Sequence, residues 1–450
     1  MGGGSVRDVL AHPVFRRLFA AQAVALAGTG LLTVALGLLA YDLAGSAAGA
    51  VLGTALAIKM AAYVGVAPVI TALTERLPRR TILVAADAVR ATVALLLPAV
   101  DEVWQIYALI VVLQAASATF TPTFQAIIPA VLPDERDYTR ALSLSRLAYD
   151  LEALLSPLLA AAVLTVAGYH WLFLGTVGGF AVSALLVTTT PLPAQACVRP
   201  QPLTSRILAG ARILTTRPVL RGLLAMNLTV AAGTALVLVD TVVFVRDVLG
   251  GAPVGVADAP RGVGAGAEPA VVLFYPVVTP RHGPGATQGG VARATGCFGA
   301  GSMTAALLVP RLLRTCTDRT LMLTGAALVP IALTVTAGWL AIGARPSLGW
   351  GVLGGCWFVL GVGTALVNTP AARLLRAQAG ESELPAVFSA QFSLSHACFL
   401  LTYPIAGWLG VRAGHAVPAG LLAVLATLAT STAARLWPAG PPIGAVPARR

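Results

Sequence analysis

Charge is what this chain lacks most. Only 11% of its 450 residues are Asp, Glu, Lys or Arg, against 57% hydrophobic, and the mean hydropathy is +0.84. That is too little polar surface to coat a soluble body of this size, so the composition places the chain in a membrane. Lysine is nearly missing: Lys59 stands alone beside 29 arginines. The formal charge of +12 would suit nucleic acid, but the arginines are spread over short loops with no basic face or aromatic platform, so no nucleic-acid partner is expected. The five cysteines (197, 297, 316, 356 and 398) show no paired spacing, which excludes a disulfide framework and a zinc site and leaves them as small apolar packers. A cleavable leader is not evident either. The apolar run from Leu18 to Tyr41 is longer than a signal core and reads as a first span with Arg16 and Arg17 at its inner edge.

What the chain has instead is long apolar runs. A helix needs about 20 such residues to cross about 30 Å of hydrocarbon, and twelve stretches qualify: 15–43, 47–73, 82–100, 103–130, 139–167, 170–190, 219–247, 287–313, 320–343, 346–375, 385–411 and 415–437. With the N-terminus inside, 23 arginines fall on inner segments and 6 on outer ones, so both termini are expected in the cytoplasm of a multi-pass protein of the cell (inner) membrane. Residues 191–218 are basic with an amphipathic tail and read as a cytoplasmic linker between six-helix halves at 1–190 and 219–437. Residues 248–286 form a Gly/Pro/Ala-rich outer loop, and 438–450 a cytoplasmic tail.

An internal repeat supports the division into halves. Arg80-Thr-Ile-Leu-Val is echoed by Arg319-Thr-Leu-Met-Leu, each opening the third span of its half. Thr121-Pro122 matches Thr369-Pro370, and Pro157 matches Pro404, with the prolines 35 and 34 residues apart in the two halves. The stretch Thr71 to Arg90 packs four arginines and two acids between apolar runs, and Pro78 breaks any helix through it. It reads as a tight turn in which Glu75, Asp87, Arg76, Arg79, Arg80 and Arg90 form charged pairs that latch the second and third spans in one conformation. The plainer alternative is that these arginines only anchor the loop at the headgroups.

Twelve spans in two repeated halves with an arginine-rich turn after the second resemble the major facilitator superfamily. That family's signature, Gly-x-Leu-Ala-Asp-Arg-x-Gly-Arg-Arg/Lys, falls here on Thr71, Leu73, Thr74, Glu75, Arg76, Pro78, Arg79 and Arg80, with Glu for Asp and both glycines replaced. Phe15-Arg-Arg-Leu-Phe, Tyr41-Asp-Leu-Ala-Gly-Ser-Ala and Leu-Pro-Arg-Arg-Thr are similar to the macrolide and siderophore efflux branch. The antiporter motif of the fifth span, Gly-Pro-x-x-Gly-Gly, appears as Ser156-Pro157-x-x-Ala160-Ala161. The acidic fifth span also resembles nickel-resistance exporters of the superfamily, without a histidine-rich tail. The resemblance implies an all-α membrane protein, alternating access and a central cavity.

Ionisable residues inside spans cost about 2.5 to 3.5 kcal/mol each at a helix centre. Lys59, Asp150, Glu152 and His396 all fall near mid-membrane at 1.5 Å per residue. One reading makes Asp150 or Glu152 the proton carrier, tuned by Lys59 or Arg146. The other pairs Arg146 with Asp150 within one helix, neutralises Glu152 with Lys59, and leaves His396 as a hydrogen-bonded packing residue. Gln22, Thr29, Gln114, Gln125, Asn227, Asn368 and Gln391 are candidate cavity liners, or interhelical hydrogen-bonding groups. Asp42 and Asp240 read as interfacial. No nucleotide-binding loop and no acidic or histidine motif at a membrane edge points to a pump or a membrane enzyme. The expected function is secondary transport, with a small organic compound exported against protons by a monomer needing no cofactor. Export of a transition-metal cation through His396, Cys398, Asp150 and Glu152 is the alternative.

Overall fold

Backbone N–H and C=O groups have no water to bond to in hydrocarbon, so an apolar run must satisfy them within itself, as a helix. The computed structural model describes residues 6–44, 48–74, 77–193, 203–245, 284–343 and 346–437, and among these there is helix and no strand. A short helix α1 (Val6–Ala11) precedes α2 (Pro13–Ala44), α3 (Ala48–Thr74), α4 (Arg79–Leu96), α5 (Val103–Val131), α6 (Glu135–Leu164) and α7 (His170–Thr188). After α8 (Leu203–Thr216) come α9 (Pro218–Val243), α10 (Pro284–Leu312), α11 (Asp318–Ala341), α12 (Pro346–Gln378), α13 (Leu384–Ala413) and α14 (Ala416–Leu436). The twelve long helices α2–α7 and α9–α14 stand at the twelve positions the apolar runs mark. Nine spans among the described residues are apolar enough alone to cross a membrane.

Local chemistry sets the helix ends. Glu102 and Gln105 form a reciprocal capping box on α5, Asp134 accepts from the amides of Arg136 and Asp137 at the start of α6, and Thr317 caps α11 through the Thr320 amide. Small residues set how closely helices approach. A methyl group on Gly301 would collide with the Phe358 carbonyl, and one on Gly361 with the Phe298 carbonyl, so α10 and α12 cross backbone to backbone. In the first half, Thr176 Oγ1 donates to the Gly28 carbonyl at 3.0 Å, and a methyl on Gly179 would meet Gly28 Cα at 3.2 Å, which brings α2 and α7 together the same way.

Each half has its own packed core. Phe15, Leu83, Phe124 and Tyr138 lie in one and Leu32, Ile106 and Phe173 in another of the first half, while Leu236, Trp357 and Leu422 centre the second. The halves meet through α3 against α13 and α6 against α10. Helix α8 crosses the seam at one end, resting on α3, α9 and α13, with Gly210 so close to Ala386 that a side chain would strike its carbonyl. That end also carries Arg79, Arg80, Arg217, Arg319, Arg373 and Arg376, and is called the basic end below. The repeat seen in the sequence has a physical counterpart there. Arg80 Nη2 donates to the Thr190 carbonyl just past α7 at 2.7 Å, and Arg319 Nε to the Trp437 carbonyl just past α14 at 3.1 Å. Residues 75–76, the outer loop over 246–283 and the tail 438–450 lie outside the described residues, as do 194–202 of the linker.

Candidate functional site

The charged turn is wired differently from the expected latch. Asp87 and Arg90 pair with each other one helical turn apart, and Ser183 Oγ of α7 donates to Asp87 at 2.7 Å. The Arg90 guanidinium is sandwiched between the rings of Phe120 on α5, 4.3 Å from its centroid, and Phe180 on α7, at 4.4 Å. Both charged residues are buried, so this unit ties α4 to α5 and α7 inside one half and not α4 to α3. Among the described residues, Arg79 and Arg80 also find no acid within bonding distance. Arg79 donates to the Ala126 carbonyl on α5 (3.1 Å), and Arg80 to the Thr190 carbonyl just past α7, where a helix end offers unsatisfied oxygens. Glu75 and Arg76 fall outside the described residues.

The link between halves at the basic end comes from residues that the sequence showed only as topology signals. Arg373 near the end of α12 reaches Asp318 of its own half at 3.1 Å and Glu135 of the other half at 3.0 Å. Arg376, one turn on, donates to the Pro133 carbonyl at 2.9 Å and lies 5.0 Å over the ring of buried Tyr138. The i,i+3 spacing of two arginines facing an acid that opens α6 is the available signal, and the arginine count absorbed it.

At mid-span, Arg146 pairs with Asp150 at 3.0 Å within α6, as the i,i+4 spacing allows, and also donates to Ser302 Oγ of α10 at 2.9 and 3.1 Å. Asp150 is buried, and its Oδ2 has no hydrogen-bond partner. These two residues are therefore part of the α6–α10 seam.

Lys59, Glu152 and His396 come together elsewhere, between α3, α6 and α13. Glu152 is the acid whose charge acts on Lys59, and its Oε1 lies against Gly30 of α2, 2.8 Å from where a methyl would stand. The Lys59 ammonium is 5.6 Å over the ring of Tyr63, one turn along α3. Tyr63 in turn meets Phe392 at 4.7 Å and the edge of His396 at 4.8 Å, and His396 meets Phe399 at 6.1 Å. His396 Nδ1 lies 2.7 Å from the Phe392 carbonyl, which can only accept, so Nδ1 carries the proton and Nε2 is left with its lone pair. Lys59, Tyr63, Glu152, Phe392, His396 and Phe399 are all half-buried, and the three carbocyclic rings lie outside the packed cores of both halves. Tyr63, Phe392 and Phe399 were not singled out in the sequence, although the spacing of Phe392, His396 and Phe399 by four and three residues on α13 was there to be read.

The cavity-liner candidates divide. Gln22 accepts from Ser145 of α6 at 3.1 Å, and Asn227 and Gln391 exchange amide hydrogen bonds at 3.2 and 3.0 Å between α9 and α13. Thr29 turns its hydroxyl onto the Ala25 carbonyl of its own helix. Gln114, Gln125 and Asn368 are half-buried on α5 and α12. Asp240, near the end of α9, is 2% exposed and faces His415 Nδ1, at the start of α14, at 3.8 Å. An aspartate at a helix end can turn inward when a neighbouring imidazole offers it a partner.

Comparison with known proteins agrees with this geometry. The model of the Major Facilitator Superfamily matches residues 18–267. A search of curated proteins finds no match. Among solved structures, the chain is similar to the human organic anion transporter MFSD10 (TETRAN), with a TM-score of 0.69 at 14% identity, covering 93% of this chain and 98% of that one. It is similar to a bacterial homologue of the iron transporter ferroportin in an outward-facing state (TM-score 0.70, 13% identity, 94% and 98% covered) and to the proton:xylose symporter XylE (0.68, 11%, 94% and 95%). At these identities the likeness is one of fold. With over half its length matched and its twelve long helices in this arrangement, the chain belongs to the major facilitator superfamily, a multi-pass membrane transporter and not an enzyme.

Proposed function

We propose that this transporter exports a small organic compound in exchange for protons, as a monomer, with halves at 1–190 and 219–437, a linker at 191–218 and the basic end in the cytoplasm. The observation that carries this reading is the Lys59–Glu152 pair between α3 and α6, beside the α13 rings. One carboxylate at mid-span can satisfy one positive charge at a time, and a group that must choose between a proton and another cation is what an antiporter needs. The arginine asymmetry supports the orientation, and the Arg373 and Arg376 links across the basic end then describe a cytoplasm-closed state. The sequence likeness to the macrolide and siderophore efflux branch supports export. For a metal cargo, two or more donors would have to converge. Of the expected donors, His396 already has its Nδ1 on the Phe392 carbonyl, and Asp150 is paired with Arg146. The organic reading is therefore preferred.

The test uses purified protein in vesicles with an imposed proton gradient, with candidate compounds taken from a resistance screen of an overexpressing strain. Glu152→Gln keeps the shape of the side chain while removing its titration. It is expected to abolish gradient-driven movement and to retain downhill exchange, whereas Asp150→Asn, at the α6–α10 seam, is expected to retain coupling. Unimpaired gradient-driven export by Glu152→Gln removes that residue from the mechanism.

A further inference from the structure

The chain's single lysine is placed where a cargo would be. It lies at mid-span, over an aromatic ring, facing the acid of the proposed coupling pair. Apart from buried Arg90 of α4, whose charge also acts on Tyr63, the groups around it favour positive charge. Glu152 offers a carboxylate, Tyr63, Phe392 and Phe399 offer ring faces with negative quadrupoles, and His396 has its unprotonated nitrogen free of the Phe392 carbonyl. Lys59 is the cation that stands directly over the Tyr63 ring. A site made for an anion would not surround its cation with rings and a carboxylate.

We propose that this cluster of side chains between α3, α6 and α13 binds an organic cation with a flat or aromatic body, and that the Lys59 ammonium occupies the cation's seat on Tyr63 and Glu152 in the cargo-free protein. This rests on the transport reading and adds the substrate class and a built-in competitor. In charge terms the empty site holds Glu152⁻ and Lys59⁺ and is neutral. Loading it with the cation gives one net positive charge, and loading it with a proton on Glu152 gives the same. The two cargoes are thus equivalent to the protein and exclude each other. The tethered ammonium covers the carboxylate between visits, so the empty site does not leave an unpaired charge buried. Lysine suits this part because its ammonium is a point charge on a flexible stem that can swing aside, which arginine's planar fork does less readily. The rings of Phe392, His396 and Phe399 on α13 belong to the other half from Lys59, so a flat cargo stacked between Tyr63 and Phe392 touches both halves at once.

The experiment measures binding of tetraphenylphosphonium, and separately of benzoate, to detergent-purified protein without any gradient. Removing a competitor that fills the seat nine times in ten tightens apparent affinity about ten-fold. Lys59→Met is therefore expected to bind tetraphenylphosphonium about ten-fold more tightly than wild type, Lys59→Arg to tighten it less, and Glu152→Gln to lose it. Thermal melting of each variant checks that it is folded, and Lys59→Gln serves if Lys59→Met is not. Unchanged or weaker cation binding in the folded lysine variants overturns the proposal, as does benzoate binding that depends on Lys59. Gradient-driven flux is measured in parallel. Tight cation binding without coupled flux would refute antiport and leave the seat standing. Coupled flux of some other compound without cation binding would do the reverse.

Discussion

Closure of the basic end is expected to depend on Arg376 far more than on the ion pair next to it. Polar and ring contacts of Arg373 and Arg376 cross between the halves there, and their surroundings rank them. The Glu135–Arg373 pair is 3.0 Å long, but Glu135 is 60% exposed, so it contributes about 0.2 to 1 kcal/mol, at most about a five-fold shift in population. Arg376 makes a charged hydrogen bond of 2.9 Å to the Pro133 carbonyl, about 2 kcal/mol. It also lies over the buried Tyr138 ring, adding about 1 kcal/mol. Together these come to about 3 kcal/mol, or about a hundred-fold shift at ten-fold per 1.4 kcal/mol. Arg373 itself acts mostly within its own half by neutralising Asp318, whose side chain is 8% exposed, so its loss lowers stability in every conformation. The measurement is a spin-label distance between Arg136→Cys on α6 and Ser382→Cys before α13, in a background freed of native cysteines. Arg376→Ala is expected to populate the open basic end, Glu135→Gln to change it marginally, and Arg373→Met to lower the melting temperature. Glu135→Gln opening the end as far as Arg376→Ala would refute this ranking.

Other expectations follow from packing. Arg90→Met leaves Asp87 buried without its partner and is expected to cost about 3 to 5 kcal/mol, whereas the double variant Asp87→Leu with Arg90→Met is expected to melt higher than that single one; a lower melting point for the double variant would count against the pair. Gly301→Ala and Gly361→Ala must push α10 from α12, a cost of at least about 1 to 3 kcal/mol. Gly296→Ala on the same helix α10, where a methyl meets nothing within 4 Å, is expected to stabilise by about 0.5 to 1 kcal/mol; thermal melts of the three in one detergent decide.

Much of the architecture was legible in the sequence because one rule dominates inside a membrane: a run of apolar residues long enough to cross has to be helical. The twelve runs matched twelve helices for that reason, and the Arg80 and Arg319 echo was legible because both arginines meet the same need, a carbonyl exposed where a helix ends. The i,i+4 pairing of Arg146 with Asp150 could be read because it is local. What sequence reading missed was long-range. Whether Asp87 and Arg90 face α3 or lie between α5 and α7 depends on how helices rotate about their axes, which spacing does not specify. Arg373 and Arg376 looked like topology markers because their partners, Glu135 and Tyr138, are more than two hundred residues away. Tyr63 and Phe392 stayed unnoticed because an aromatic on an apolar helix is ordinarily core, and only the helix packing shows them outside it.

The self-paired Asp87 and Arg90 also bear on how the chain is made. Helices enter the bilayer in the order of synthesis, and α4 arrives before either α5 or α7 exists. The Phe120 and Phe180 rings that later enclose the guanidinium, and the Ser183 hydroxyl that holds the carboxylate, are then still untranslated. A lone arginine at that stage would face lipid at a cost of several kcal/mol. Because its counter-charge lies three residues earlier on the same helix, α4 brings its neutraliser with it and can wait in the membrane for its neighbours. Splitting the pair between two helices would preserve the finished contact and forfeit that order of assembly.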